Sequence, residues 1–148
     1  MTRAFLLNWN PAKWEWVHLD KQVRDCKKRG SVYEPWSCGG RTDLPRGSVV
    51  YLMRLGVVPK GIVGVGVTTS EPERGTHWDQ KRRVAGRPAL RVGIDFYLLA
   101  RDPIVRLEEL QNPPFDGMYW LQQASGVEIP EEIAAALSDR VGPTSSLK

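Results

Sequence analysis

Two groups of residues in this 148-residue chain carry side chains suited to a charged or planar ligand. The first is basic. Lys81, Arg82 and Arg83 run together, and Arg87 and Arg91 follow, so five cations can reach phosphate oxygens along one stretch. Trp78 and Gly75 lie just ahead of them, a ring that could wedge or stack beside a backbone grip. Lys27-Lys28-Arg29 and Arg41 are further phosphate candidates. The competing reading is a solvated basic loop. The second group is Trp36-Ser37 with Asn8 and Asn10. A base swung out of a helix needs an aromatic face to stack on and amide groups to read its edge. Asparagine offers both donor and acceptor. Against this, Trp36 would simply pack on a helix and Asn10 would only make the turn before Pro11.

Other chemistries find little support. The two histidines, His18 and His77, belong to no His/Cys/Asp cluster with metal-ligand spacing. No Gly-x-Ser-x-Gly elbow occurs. Gly61-Ile62-Val63-Gly64-Val65-Gly66 has neither the spacing of a dinucleotide loop nor a following helix. Its glycines sit in a strand, where they mark a bulge or a close backbone approach. The expectation is a binding protein with no metal, no cofactor and no catalytic residues of its own. Cys26 and Cys38 are too few for a disulfide scaffold, and free thiols fit a cytoplasmic protein. No apolar run reaches the ~18 residues a membrane span needs.

Charge is unevenly placed. Residues 1–101 hold 18 Lys/Arg against 9 Asp/Glu, and residues 102–148 hold 3 against 8, giving +9 and −5 and the overall +4. A basic body of this kind suits a polyanion. Six tryptophans are many for this length, and each buried indole N–H needs a partner.

These residues must be positioned by a mostly β chain. Residues 3–9 read as a buried strand ended by Asn10-Pro11. Trp16, Leu19, Val23 and Cys26 recur at helical spacing, predicting a helix over 14–28 that stops at Gly30. Segment 32–43, with its turn residues and an exposed Trp36, reads as a loop, and Pro45-Arg46-Gly47 as a turn. Ser48–Leu55, Ile62–Thr69 and Leu90–Leu99 read as strands, the first two joined by a hairpin loop. Residues 70–88 read as a long surface loop, 105–110 as a short turn or helix, and 112–117 as a proline-rich loop. Pro130–Leu137 predicts a helix with Glu131 and Glu132 in its first turn. The reading is one α+β domain over 1–140, a small β-barrel with short flanking helices, and a flexible tail or linker over 141–148.

The order of several short blocks resembles the EVE domain of the PUA-like superfamily. The blocks are Asn8-Trp9-Asn10-Pro11, Trp16, Trp36-Ser37-Cys38-Gly39, Gly47–Leu52 with Arg54, and Gly61–Gly66 before Ser70-Glu71-Pro72. Thr76-His77-Trp78-Asp79, Val92–Phe96, Gln123-Ala124-Ser125-Gly126 and Ile129-Pro130 complete the set, which covers about residues 3–138. The nearest resemblance is to EVE domains fused ahead of an HNH nuclease in modification-dependent restriction enzymes. It implies a PUA-like β-barrel that binds double-stranded DNA and flips 5-methylcytosine or 5-hydroxymethylcytosine into an aromatic pocket. By that resemblance Trp36 stacks on the base, Ser37 hydrogen-bonds it, and Asn8, Trp9 and Asn10 line the reading edge. Trp78 closes the cage or fills the gap in the duplex, and Ser125 and Gly126 line the same pocket. Cleavage would need a separate HNH domain, since no such motif occurs in these residues. Three alternatives stay open: an RNA-binding PUA-like domain, a small-nucleoside site using Asp79, Asp95 or Arg54, and a protein-interaction module.

Overall fold

A computed structural model describes residues 2–74 and 90–142. The elements run β1 (Ala4–Trp9), α1 (Leu19–Arg29), β2 (Val32–Gly39), β3 (Val49–Arg54), β4 (Gly61–Thr68), β5 (Glu73–Arg74) and β6 (Leu90–Leu99). After them come β7 (Val105–Arg106), α2 (Leu107–Leu110), β8 (Val127–Glu128) and α3 (Glu131–Val141). The strands form one sheet in the order β2-β6-β4-β3-β1-β8, with β5 on β6 and β7 on β4. β1 pairs parallel with β3, and the other ladders are antiparallel.

The sheet curls. Three strands lie between β2 and β1 in the sheet order, yet the Trp36 indole N–H on β2 donates to the Asn8 carbonyl on β1 at 2.9 Å. Only a strongly rolled sheet brings them together, so the chain is a mixed α+β half-barrel with short helices. Alternation along the strands fills both faces. Phe5, Leu7 and Trp9 face the concave side with Val50, Leu52, Val92, Ile94 and Phe96. Ala4, Leu6, Tyr51 and Met53 face the convex side, where α2, α3, Phe115 and Trp120 cover them.

Glycines make the roll possible. A Cβ on Gly64 would lie 3.0 Å from the Phe96 ring, and one on Gly66 would lie 2.6 Å from the Asp95 carbonyl oxygen and from the Ile94 side chain. The ladders shift register beside both, between Leu52 and Met53 and between Val65 and Gly66. This matches the bulge and close approach expected of them.

Two expectations are corrected. The helix begins at Leu19, not at residue 14. Residues 10–14 form a turn instead, with the Lys13 and Trp14 amides both donating to the Asn10 carbonyl, and Trp14 and Trp16 are taken up in aromatic packing. The helix ends where expected, on Gly30 at φ 91°, with Lys27, Lys28 and Arg29 in its last turn, favourable for the helix dipole. Segment 32–43 contains the strand β2 rather than a loop. Pro35 argued for a loop, but β2 is an edge strand, where one side needs no donors. The 105–110 segment is a short strand followed by a one-turn helix, and α3 runs to Val141, four residues past the expected end. Most of the expected 70–88 loop and the end of the 141–148 tail lie outside the described residues. Among the described residues no helix is long and apolar enough to cross a membrane.

Candidate functional site

The C-terminal end of β1 gathers four tryptophans. Trp9 meets Trp16 edge-on at 5.4 Å, Trp16 lies 4.7 Å from Trp36, and Trp14 stands edge-on to Trp36 at 5.0 Å and 80°. The three buried indoles are satisfied. Trp9 donates to the Trp14 carbonyl, Trp36 to the Asn8 carbonyl, and Trp16 to Gln22 Oε1, whose amide in turn donates to Glu34. Trp36 is only 7% exposed and Trp14 is 45% exposed. The expected exposed Trp36 is thus corrected: alternation on β2 turns Trp36 and Cys38 inward and leaves Ser37 half-buried on the other face. Trp14 forms the rim of the cluster.

A polar seam runs beside it. The Asn8 amide N–H donates to Ser125 Oγ at 3.2 Å, and that hydroxyl donates to the Ser37 carbonyl at 2.9 Å. Asn8 Nδ2 donates to the carbonyls of Gln122 and Ala124. Its Oδ1 is buried and has no hydrogen-bond partner in the protein, an arrangement that is costly for an acceptor. Ser37 Oγ accepts from the Gly39 amide. Gly126 sits at φ 93°, and a Cβ there would press to 2.5 Å from the Cys38 carbonyl oxygen. Asn8, Trp36, Ser37, Ser125 and Gly126 therefore converge, although 88 residues separate Ser37 from Ser125.

Other expected residues are used differently. Asn10 Oδ1 accepts from the Ala12 amide at 3.0 Å and shapes the turn that carries Trp14. Arg41, expected among the phosphate contacts, donates through Nε to the Asp43 carbonyl, its Nη2 lies 3.1 Å from Glu128, and its guanidinium sits 5.0 Å over the Phe5 ring. Its charge is already paired. Arg3 completes that cluster with paired hydrogen bonds to both Asp43 and Glu128. The Arg3 guanidinium, with Arg41 nearby, holds both carboxyls below their usual range. Trp78, Lys81, Arg82, Arg83 and Arg87 lie outside the described residues.

Sequence reading missed the parts Trp14, Trp16 and Arg54 play here. Arg54 places its guanidinium 5.8 Å over the Trp9 ring and donates through Nη1 to the Arg101 carbonyl, while its buried Nε has no partner. The signal available was the density of tryptophan over residues 9–36, four of the six. Cys26 and Cys38 are free and buried. Burial pushes both thiols up, Cys38 to about 11. Among the described residues no cluster of His, Cys, Asp or Glu could hold a metal ion.

No protein-family model matches the chain, and no curated protein matches it. Solved structures do. A hypothetical protein from Leishmania major is 15% identical, with 94% of each chain covered and a TM-score of 0.66. A Pseudomonas syringae protein is 16% identical over 93% of this chain and 99% of its own, with a TM-score of 0.61. One from Agrobacterium tumefaciens is 15% identical over 97% and 95%, with a TM-score of 0.56. At such identities the likeness shows a shared fold and leaves function to the site.

Proposed function

We propose that this chain is a PUA-like domain of the EVE type that reads a modified cytosine, 5-methylcytosine or 5-hydroxymethylcytosine, flipped out of double-stranded DNA. It binds and does not cut; in this reading a fused HNH nuclease would supply cleavage, and the setting is the cytoplasm. The observation that carries the reading is one juxtaposition. A four-ring tryptophan cluster with a half-exposed rim adjoins a polar seam that holds an unpaired acceptor, Asn8 Oδ1. A flipped base asks for that combination: a π surface for its face and polar groups for its edge. Trp36 supplies the face, and the Asn8 and Ser37 backbone groups with the Ser125 hydroxyl line the edge of the cluster.

The energetics fit a reader of modest selectivity. Unstacking a base costs a few kcal/mol, and stacking on an aromatic side chain returns about 1–3 kcal/mol per base. A methyl group adds only about 0.8 kcal/mol by burial. Phosphate contacts from Lys81, Arg82, Arg83 and Arg87 would provide the sequence-independent part, which weakens steeply with salt. Charge reversal of Arg82 and Arg83 should then weaken modified and unmodified duplexes alike and flatten the salt slope. An unchanged affinity removes that stretch from the interface.

The test is titration of one short duplex in four forms, unmodified, 5-methylcytosine, 5-hydroxymethylcytosine and N6-methyladenine, at two salt concentrations. Matched RNA and the free nucleosides are run beside it. Tighter binding of a modified cytosine in DNA is expected. Preference for the RNA, or for a nucleoside alone, would replace this reading by one of its alternatives. Equal binding of every form would leave only a basic half-barrel.

A further inference from the structure

The ring on which the base would stack is already occupied. Trp14 stands edge-on to Trp36 at 5.0 Å and leans on Trp16 at 6.1 Å, with 45% of its surface in solvent. Its backbone is fixed on both sides. The Trp14 amide donates to the Asn10 carbonyl at 3.0 Å, and its own carbonyl accepts from Trp9 Nε1 at 3.0 Å. Asn10 Oδ1 holds the turn closed through Ala12, and the Asn10 amide packs so near Gly56 that a Cβ there would fall 2.2 Å from Oδ1. The segment is therefore rigid while the ring it carries has open space beside it. Half-exposed side chains change rotamer within nanoseconds, far faster than a turn rearranges.

We propose that Trp14 is an aromatic plug: its ring occupies the place of the base against Trp36 and rotates into solvent to admit it. The proposal rests on the base-reader reading for its ligand, but the plug itself is a property of the protein alone. The free protein satisfies its own stacking surface, and a base enters by exchanging one aromatic contact for another. A binding-competent state populated only when the plug is out lowers the apparent affinity by that fraction. An edge-to-face contact of this kind corresponds to about a two- to tenfold factor.

The experiment uses the full chain labelled with 5-fluorotryptophan, wild type and Trp14→Ala, with the Trp36 resonance assigned through Trp36→Phe. Trp14→Ala should move the Trp36 fluorine signal and give it a solvent isotope shift between H₂O and D₂O, both absent in the wild type. The same variant should bind a 5-methylcytosine duplex about two- to tenfold more tightly and an unmodified duplex no differently. If Trp14→Ala fails to fold, Trp14→Leu keeps an apolar residue on the cluster and should give a smaller change in the same direction. An unmoved Trp36 signal overturns the plug, whatever the DNA does. A loss of modified-duplex affinity with an exposed Trp36 also overturns it, making Trp14 a stacking platform instead. An exposed Trp36 with no preference for any modified duplex leaves the contact standing and sinks the base-reader reading.

Discussion

At the start of β1, Arg3 makes four hydrogen bonds to Asp43 and Glu128, and Arg41 shares Glu128 and the face of Phe5. At the end of β1, Trp9 opens onto three more tryptophans, and beside them Asn8 Oδ1 and Arg54 Nε lie buried without partners. Both ends tie the same strand to distant parts of the chain. The first does so with every charge matched at its surface, which is how a structural clasp is built. The second leaves a half-exposed ring and two buried polar atoms with no partner in the protein. The difference locates the candidate site at the tryptophan end and assigns the ionic end to holding β8 on β1.

Five predictions bear on that contrast. The largest effect should come from Trp36→Ala, at about 3–5 kcal/mol of stability in a denaturant melt, because the ring is buried and its loss leaves a cavity. A cost under 1 kcal/mol would mean the tryptophan end is looser than its packing suggests. Trp36→Phe keeps the core and is the variant for binding studies; it should lose the preference for modified DNA while retaining salt-sensitive background binding. Gly66→Ala should cost about 1–3 kcal/mol by overpacking against Asp95 and Ile94, and tolerance of it would argue against the tight roll that brings β2 to β1. Ser125→Ala should cost a similar ~1–3 kcal/mol, since it strips partners from the Asn8 amide and the Ser37 carbonyl, and should speed hydrogen exchange at Asn8. Unchanged exchange would break the seam.

The smallest effect belongs to the ionic end. Asp43 and Glu128 have folded-state carboxyls held below their ordinary values of 3.8 and 4.5, chiefly by Arg3. A lowered folded pKa stabilises above the unfolded value and loses that contribution as pH falls through the folded one. Melting temperature should therefore decline only below about pH 4.5, and Glu128→Gln should flatten part of that decline. The groups are largely exposed, so the gain is small and screened by salt. A pH profile that is the same in Glu128→Gln as in the wild type would remove the clasp from the account.

The apolar strands were legible because burial on both faces demands near-continuous Val, Ile and Leu, as in Val49–Arg54 and Gly61–Thr68. The α1 terminus was legible because Gly30 alone suits its left-handed φ. β2 was not, because Pro35, Gly39 and Gly40 carry turn chemistry and only the edge position in the sheet makes a proline harmless there. The helix start was misplaced because Trp16 satisfies the helical period while its ring belongs to a tertiary cluster.

The sequence by itself determined composition, charge asymmetry, the central strands and the clustering of tryptophans and basic residues. Those follow from local physics, from periodicity and from the chemistry of single residues. The tertiary structure decided which of them meet. Ser37 and Ser125 share a hydrogen bond, Trp14 meets Trp36 nearly at a right angle, and Arg41 is paired with Glu128 and Asp43. Such contacts depend on how far one sheet rolls, and that is set by the summed packing of glycines, rings and bulges across the whole domain.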